Sequence, residues 1–213
     1  MSFRAVLFDW RGTLVTTLAE EAWATEALRR LGRDDDPALL AVGLATIAGR
    51  LDAPGVDTDA AGHRRTYVEA LTDLGIDEDL VDALYAVESD LTLNVFADDA
   101  ESTLRELCAA GLRLGVVSDI HLDIRPAFVA AGLDGVVDVF TLSVEHGTQK
   151  PDPRMFTRTL RALGVEPEQA LMVGDRAERD GAAVECGLAT LLVPPLTTPS
   201  DRRLHRVLAL CRR

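Results

Sequence analysis

Four side chains that can take part in chemistry stand at or after the ends of apolar stretches. Asp9 follows residues 5–8, Ser118 follows 114–117, Asp175 follows 171–174, and Lys150 lies in the loop after 136–140. Short apolar runs bounded by polar residues and glycine are typical of buried parallel strands. Ligands of open α/β sheets bind beyond the carboxyl ends of the strands. We therefore expect these four side chains to converge if their strands are neighbours.

Asp9 and Lys150 carry the clearest chemical indications. A buried carboxylate can attack a phosphorus or carbon centre and so divide one difficult step into two easier ones. Gly12 then permits a close backbone approach, and Thr13 can hold an anionic oxygen at the turn. Lys150 is the single lysine among 22 basic residues, which indicates a position that needs a compact ammonium rather than a guanidinium. We interpret Lys150 as neutralising carboxylates and phosphoryl charge, with Ser118 as a donor to a phosphoryl oxygen.

Asp175 and Asp180 lie five residues apart across a turn that begins after Gly174. Carboxylates gathered near Asp9 repel one another unless a cation lies among them, and hard oxygen ligands suit Mg²⁺. The same spacing also fits a helix N-cap followed by an acid in the first turn. The metal hypothesis therefore predicts that Asp175 and Asp180 lie close to Asp9 in the folded chain.

With these motifs in order along most of its length, the chain resembles the haloacid dehalogenase-like hydrolase superfamily. The stretch 9–13 is similar to its first motif, Ser118 to its second, Lys150 within 150–153 to its third, and 174–175 with Asp180 to its fourth. The resemblance implies an aspartyl nucleophile at Asp9 and a Mg²⁺ cofactor. The ion would be held by Asp9, Asp175 and a backbone carbonyl at position 11, with Asp180 behind them or acting through water.

Position 11 departs from that pattern. Phosphatases of the family usually carry a second aspartate two residues after the nucleophile as general acid and base, and this chain has Arg11. An arginine does not protonate a leaving group near neutral pH, and loss of general acid catalysis costs about 10²–10⁴-fold. Arg11 instead clamps an anionic substrate or pairs with a nearby carboxylate, the candidates being Asp119, Asp175 and Asp180. His121 and His146 are the candidate substitute acids.

Asp119 adds a negative charge next to Ser118, where the family more often has a neutral residue. It is counted with Gly12, Thr13, Ser118 and Lys150 among the expected substrate-binding residues. Its charge lowers the expected affinity for a phosphate dianion unless Arg11 or Lys150 offsets it.

Three functional hypotheses follow from the resemblance and from this departure. The first is a Mg²⁺-dependent phosphatase for a small phosphorylated metabolite, and the second is a metal-free 2-haloacid dehalogenase. The third is a degenerate member that binds a ligand or partner without turnover. A phosphonoacetaldehyde hydrolase is disfavoured because it needs a lysine in the cap domain for a Schiff base, and residues 16–95 contain none.

Composition narrows the possible partners. The net charge of −13 and the lack of a basic stretch argue against a nucleic-acid partner. The longest apolar segment is too short to span a bilayer. The three cysteines are an odd number in apolar helical contexts, which predicts reduced thiols rather than a disulfide framework. Because the first predicted strand begins almost at Met1, we expect no signal peptide. We expect a cytoplasmic protein with a small-molecule substrate and no membrane partner. The oligomeric state is left undetermined.

The elements that must position these residues fall into two blocks. The first strand ends near Trp10, and helical periodicity then predicts helices over 18–31, 37–49, 60–74 and 78–91. From residue 98 the pattern alternates, with helices over 98–110, 124–131, 153–163, 177–186 and 200–210 and strands over 112–117, 136–141, 170–173 and 189–193. This predicts an α/β fold, a Rossmann-like doubly wound parallel sheet with an inserted all-helical cap domain. The core domain comprises residues 1–15 and 96–213, and the cap comprises 16–95.

Overall fold

The computed structural model describes residues 3–212, and its centre is one five-stranded parallel sheet. The spatial order of the strands is β3-β2-β1-β4-β5. Their bounds are β1 Ala5–Phe8, β2 Arg113–Ser118, β3 Val139–Leu142, β4 Ala170–Gly174 and β5 Ala189–Leu192. The predicted parallel α/β sheet is confirmed.

Strand register brings the polar strand ends to one edge of the sheet. Phe8, the last residue of β1, pairs with Val116 of β2 and Val173 of β4. The next residues along these three strands therefore include Asp9, Ser118 and Asp175. The convergence expected from the strand ends follows directly from this register.

Helices cover both faces of the sheet, because β1 is apolar on both of its faces. Val6 and Phe8 belong to one buried cluster, and Ala5 and Leu7 belong to another on the opposite face. The helices of the chain are α1 Glu20–Leu31, α2 Pro37–Leu51, α3 Ala60–Thr72, α4 Glu78–Glu88, α5 Ala100–Ala109, α6 Arg125–Ala130, α7 Ser143–His146, α8 Pro153–Leu163 and α9 His205–Cys211. Within residues 3–212, no helix is long and apolar enough to cross a membrane.

The helices α1–α4 share a hydrophobic core of their own. Trp23, Leu44, Leu71 and Leu84 are buried there, in a cluster separate from the two that flank the sheet. Residues 20–88 thus pack mainly on one another. This arrangement supports the proposed division into a cap at 16–95 and a core at 1–15 and 96–213, which stays a prediction.

Two of the predicted helices differ from the observed elements. The stretch 177–186 forms only a 3₁₀ segment, Gly181–Cys186, because the Asp180 side chain turns inward and accepts a hydrogen bond from the Arg176 amide. The last helix begins at His205 rather than at residue 200, because Asp201 closes a local turn by accepting from the Thr198 amide. A short helix, α7, also forms where none was predicted.

Candidate active site

The ammonium of Lys150 lies between two buried carboxylates. Its Nζ donates to Asp9 Oδ1 at 2.5 Å and to Asp180 Oδ1 at 2.6 Å. Lys150 is 2% exposed, Asp9 6% and Asp180 0%, so bulk water screens these charges very little. The Lys150 backbone amide donates to Asp119 Oδ1 at 2.8 Å and fixes the loop against the end of β2. The single lysine is therefore a structural part of the carboxylate cluster.

Burial and mutual repulsion govern the protonation of this cluster. Burial raises the pKa of Asp9 to about 8, and the charges of Asp180 and Asp175 add to the rise while Lys150 opposes it. Burial alone would lower the pKa of Lys150, but the carboxylates of Asp180 and Asp9 outweigh it and raise that pKa above its ordinary value. Lys150 thus stays charged, and the cluster remains short of positive charge whenever all its carboxylates ionise.

Asp175 approaches the turn after β1 more closely than any side chain at position 12 would allow. A Cβ added to Gly12 would lie 2.4 Å from Asp175 Oδ2, and the φ of Gly12 is +79°. Thr13 Oγ1 donates to Asp175 Oδ1 at 3.2 Å. The Thr13 amide donates to the Trp10 carbonyl at 3.2 Å. Gly12 and Thr13 therefore position Asp175, while the phosphate-binding role predicted for them stays a prediction.

The donor set fits a hard divalent cation. Asp9, Asp175 and Asp180 each offer a carboxylate oxygen, and these three atoms lie within 4.8 Å of one another. Both oxygens of Asp180 are already engaged, by Lys150 at 2.6 Å and by the Arg176 amide at 2.9 Å. No hydrogen bond from the described residues ends on the Arg11 carbonyl, whereas Leu196 donates to the carbonyl of Gly12. Asp9, Asp175 and the carbonyl of residue 11 would thus hold Mg²⁺, with Asp180 behind them.

The Arg11 side chain turns away from that cluster and binds the helical block. Its Nη1 pairs with the Glu88 carboxylate, its Nη2 donates to the Glu88 carbonyl at 2.8 Å, and its Nε donates to Asn94 Oδ1 at 3.2 Å. Burial alone would lower the pKa of Arg11, but the Glu88 carboxylate outweighs it and raises that pKa. The expected pairing with Asp119, Asp175 or Asp180 is wrong, because Glu88 is closer and is nearly buried itself.

A cavity of about 300 Å³ opens above these groups, between the sheet edge and the helical block. Of the residues predicted for the site, it is lined by Asp9, Arg11, Ser118, Asp119, Lys150 and Asp175. The helical block contributes further lining side chains, among them Trp23, Asp57, Tyr67 and Glu88. This volume lies at the lower end of the range for small-molecule sites.

The Asp119 carboxylate pairs directly with Arg179, and the charge of Lys150 also interacts favourably with it. Arg179 Nη1 donates to Asp119 Oδ2 at 3.1 Å, and its Nη2 donates to Asp52 Oδ1 at 2.6 Å. Arg176 Nη1 also donates to Asp52 Oδ1, at 2.8 Å. Asp52 lies at the end of α2, so these two arginines tie the helical block to the turn after β4.

Arg203 is a buried residue that the sequence pattern did not single out. It is 5% exposed, and its guanidinium donates to the carbonyls of Gly12 at 3.0 Å and Thr13 at 2.6 Å. These bonds hold the turn that carries the nucleophile candidate. Arg203 is one of 21 arginines, and nothing in the sequence around it indicates this role. The role is evident only from its hydrogen-bond partners, which lie far away in the chain.

Neither substitute acid considered for the missing aspartate suits that task. His121 does not line the cavity, and burial lowers its pKa to about 2, so its ring is neutral near neutral pH and is not the imidazolium that a general acid would require. His146 Nδ1 lies 2.8 Å from Arg158 Nη1, in α8, and also does not line the cavity. Leaving-group protonation by these histidines is therefore not supported by their positions.

Comparison with known proteins gives one family and several named relatives. Residues 3–187 match the haloacid dehalogenase-like hydrolase family. The chain is 33% identical over 146 residues to a phosphoserine phosphatase of Thermus thermophilus, an alignment that covers 64% of this chain and 57% of that protein. It is 30% identical over 203 residues to a glyceraldehyde 3-phosphate phosphatase of Methanopyrus kandleri, with 89% and 83% covered. The chain spans about half the length of the first curated relatives it matches.

A solved structure extends the comparison to a second chemistry. The 2-haloacid dehalogenase from Pseudomonas syringae pv. Tomato DC3000 is 25% identical, with a TM-score of 0.61 and coverage of 98% of this chain and 99% of that one. Proteins named as phosphatases and as dehalogenases thus resemble this chain, so the fold alone does not choose between the two reactions.

Proposed function

This chain belongs to the haloacid dehalogenase-like hydrolases, and from that premise we propose that it is a Mg²⁺-dependent phosphatase of a small phosphorylated metabolite. The observation that carries the proposal is the position of Lys150, buried between Asp9 and Asp180 with Asp175 beside them. One ammonium among three carboxylates leaves the cluster negative unless a divalent cation joins it. The relatives from Thermus thermophilus and Methanopyrus kandleri are both named as phosphatases, which favours the same function.

The proposed reaction uses Asp9 as the nucleophile. A carboxylate oxygen of Asp9 attacks the phosphorus, a P–O bond forms to the enzyme, and the bond to the leaving-group oxygen breaks with its electron pair. Water then attacks the aspartyl phosphate, which releases inorganic phosphate and restores Asp9. Ser118 donates to a phosphoryl oxygen, and Lys150 offsets the negative charge of the transferred group.

Mg²⁺, when bound, would neutralise Asp9, Asp175 and the phosphoryl oxygens and so permit two anions to approach each other. Gly12 and Thr13 serve this arrangement by holding Asp175 against the β1 turn. Asp180 lies behind Asp175 and supports the site by accepting hydrogen bonds from Lys150 and from the Arg176 amide. The helical block closes the cavity and limits the access of water to the reacting groups.

Arg11 determines which leaving groups are efficient. Its guanidinium is fixed by Glu88 and Asn94 and has no proton to give, so the leaving oxygen departs without general acid help from position 11. Acyl and aryl phosphates, whose leaving groups are stable as anions, are therefore better substrates than alkyl phosphates. The substrate class follows from this chemistry rather than from the names of relatives.

A 2-haloacid dehalogenase is the second candidate. It is favoured by the missing aspartate at position 11 and by the likeness to a solved dehalogenase. In that reaction Asp9 would attack carbon and displace halide without a metal. The proximity of Asp175 and Asp180 to Asp9 disfavours this metal-free reaction, because three adjacent carboxylates repel one another unless a cation binds among them.

One substrate screen tests these proposals together. Purified full-length protein is assayed against alkyl, aryl and acyl phosphates and 2-haloacids, with Mg²⁺ and with a chelator. Phosphate release that requires Mg²⁺ and Asp9 supports the phosphatase. Halide release in the presence of the chelator would overturn the phosphatase proposal in favour of the dehalogenase. If no substrate class is turned over, the third hypothesis, a binding protein of the same fold, is favoured. We expect the enzyme to act on free metabolites in the cytoplasm, without nucleic-acid or membrane partners.

A further inference from the structure

Two histidines and an aspartate meet outside the carboxylate cluster. Asp57 lies in the 3₁₀ segment Val56–Thr58, His63 in α3, and His121 in the loop after β2. Each offers one ligand atom, and the three atoms lie within 4.8 Å of one another. His63 Nε2 is 3.7 Å from Asp57 Oδ1. His63 is 0% and His121 5% exposed, so both rings are removed from water.

One nitrogen of each ring is buried without a hydrogen-bond partner. These atoms are His63 Nε2 and His121 Nδ1, which have none among the residues that the structure describes. The opposite nitrogens are engaged: His63 Nδ1 lies 3.3 Å from the Tyr85 hydroxyl, and His121 Nε2 lies 3.0 Å from Ser89 Oγ. With the ring protons on these bonded nitrogens, the lone pairs of the two orphaned nitrogens are free to bind a cation.

We propose that Asp57, His63 and His121 form a second metal site, which binds a divalent transition ion of the zinc class. Two imidazole nitrogens and one carboxylate are donors that such ions prefer, whereas Mg²⁺ prefers oxygen alone. The site is distinct from the Asp9 cluster in both its residues and its ligand chemistry. It does not depend on the phosphatase proposal.

The electrostatic surroundings are compatible with a bound cation. Burial lowers the pKa of His63 to about 3 and of His121 to about 2, so both rings are neutral at physiological pH, as ligation requires. Burial raises the pKa of Asp57 to about 6, with Asp119 and Glu88 adding to the rise and Arg11 and Arg179 opposing it. Arg11 disfavours positive charge at both rings, and it is itself paired with Glu88.

The observed rings are stacked, and ligation of one ion by both requires one of them to turn. Their centroids are 3.5 Å apart and their planes differ by 8°. Imidazole lone pairs lie in the ring plane, so the proposal requires one histidine to turn about its side-chain bonds out of the parallel stack before both bind one ion. His63 belongs to the helical block and His121 to the sheet domain, and the ion would therefore hold the two blocks together beside the cavity that Asp57 lines.

Titration with Co²⁺ in saturating Mg²⁺ tests the site in the full-length protein. The excess Mg²⁺ competes for the carboxylates of the Asp9 cluster, and Co²⁺ reports nitrogen ligands through its visible absorption. We expect one Co²⁺ per chain, a thermal stabilisation that accompanies it, and loss of affinity by at least about tenfold in H63Q and in H121Q. H205Q, which alters an exposed histidine, is the matched control and should bind as the wild type does.

NMR of the histidine ring nitrogens in the unaltered protein tests the proposed metal site even if a variant fails to fold. The chain has four histidines, so metal-induced shifts can be assigned to individual rings. Zn²⁺ should shift His63 Nε2 and His121 Nδ1 and leave His146 and His205 unchanged. The proposal is overturned if no Co²⁺ or Zn²⁺ binds in the presence of Mg²⁺. It is also overturned if binding survives in H63Q and H121Q but is lost in D175N.

Discussion

The guanidinium of Arg11 binds the carboxylate of Glu88, 77 residues further along the chain. Arg11 stands two residues after Asp9, where the resemblance leads us to expect a general acid, and the pair joins the β1 turn to the end of α4. Its two charges offset each other, so position 11 contributes neither a proton nor a free cation to the cavity. The pair thus has both a structural and a chemical consequence.

Replacing Arg11 by Asp should raise phosphatase activity on alkyl phosphates more than on aryl or acyl phosphates. Only the alkyl leaving groups need a proton, and general acid catalysis is worth about 10²–10⁴-fold. Because R11D alone would leave two acids together, the variant to measure is R11D with E88Q. R11Q with E88Q removes the same charges without adding an acid and serves as control. Equal gains on all three ester classes would show that position 11 does not limit proton transfer.

Lys150→Met should reduce kcat/KM by roughly 10²–10³-fold, because one preorganised charge at a phosphoryl site is worth that much. The metal-free variant should also unfold about 3 kcal/mol more easily, since Asp9 and Asp180 lose a buried partner. Lys150→Arg keeps the charge but not the compact shape, and should recover little activity. Kinetics and urea unfolding measure the two effects. Full activity in K150R would contradict the interpretation of this single lysine.

Gly12→Ala should weaken Mg²⁺ binding and activity together. The added Cβ would lie 2.4 Å from Asp175 Oδ2 and would force that carboxylate away from the cluster. Gly111→Ala is the matched control, because Gly111 has a φ of +82°, close to the +79° of Gly12, and no atom within 4 Å of the new Cβ. Both variants should lose stability through backbone strain, and only G12A should lose Mg²⁺ affinity in calorimetric titration. Similar affinities in the two variants would contradict the crowding argument.

Mg²⁺ affinity should fall as the pH is lowered below about 8. Burial raises the pKa of Asp9 to about 8, so below that pH the folded protein holds a proton that Mg²⁺ must displace. The apparent Kd should then rise up to about tenfold per pH unit, with one proton released on binding. Calorimetry in buffers of different ionisation enthalpy measures both quantities. An affinity that is constant from about pH 6 to 8 would show that Asp9 is already ionised without the metal.

Arg203→Met should destabilise the turn after β1. The guanidinium donates to the carbonyls of Gly12 and Thr13. Its loss leaves the Thr13 carbonyl unpaired at a cost of about 1–3 kcal/mol, whereas the Gly12 carbonyl keeps the bond from the Leu196 amide. Arg202→Met, at the exposed neighbouring position, is the control. Urea unfolding should separate the two variants, and equal stability would mean that the Arg203 bonds are replaced by water.

Much of the fold and the centre of the site was predictable from local sequence. Apolar runs that stop at polar residues predicted the strands, and parallel strands bring their carboxyl ends to one edge. Asp9, Ser118 and Asp175 thus came together from their strand positions alone, and Lys150 was marked by residue type. The helices over 20–88 could be predicted because apolar residues recur with helical periodicity along the buried face of each segment.

Only the tertiary structure decided the partners of the remaining charged and aromatic groups. Arg11 pairs with Glu88 and Arg203 with the β1 turn, while His63 stacks on His121, and these partners lie 58 to 191 positions apart in the chain. Local sequence encodes backbone conformation and burial, because these depend on near neighbours. Ion pairs and stacked rings depend instead on how the packed blocks meet, and no residue type or spacing records that before the chain has folded.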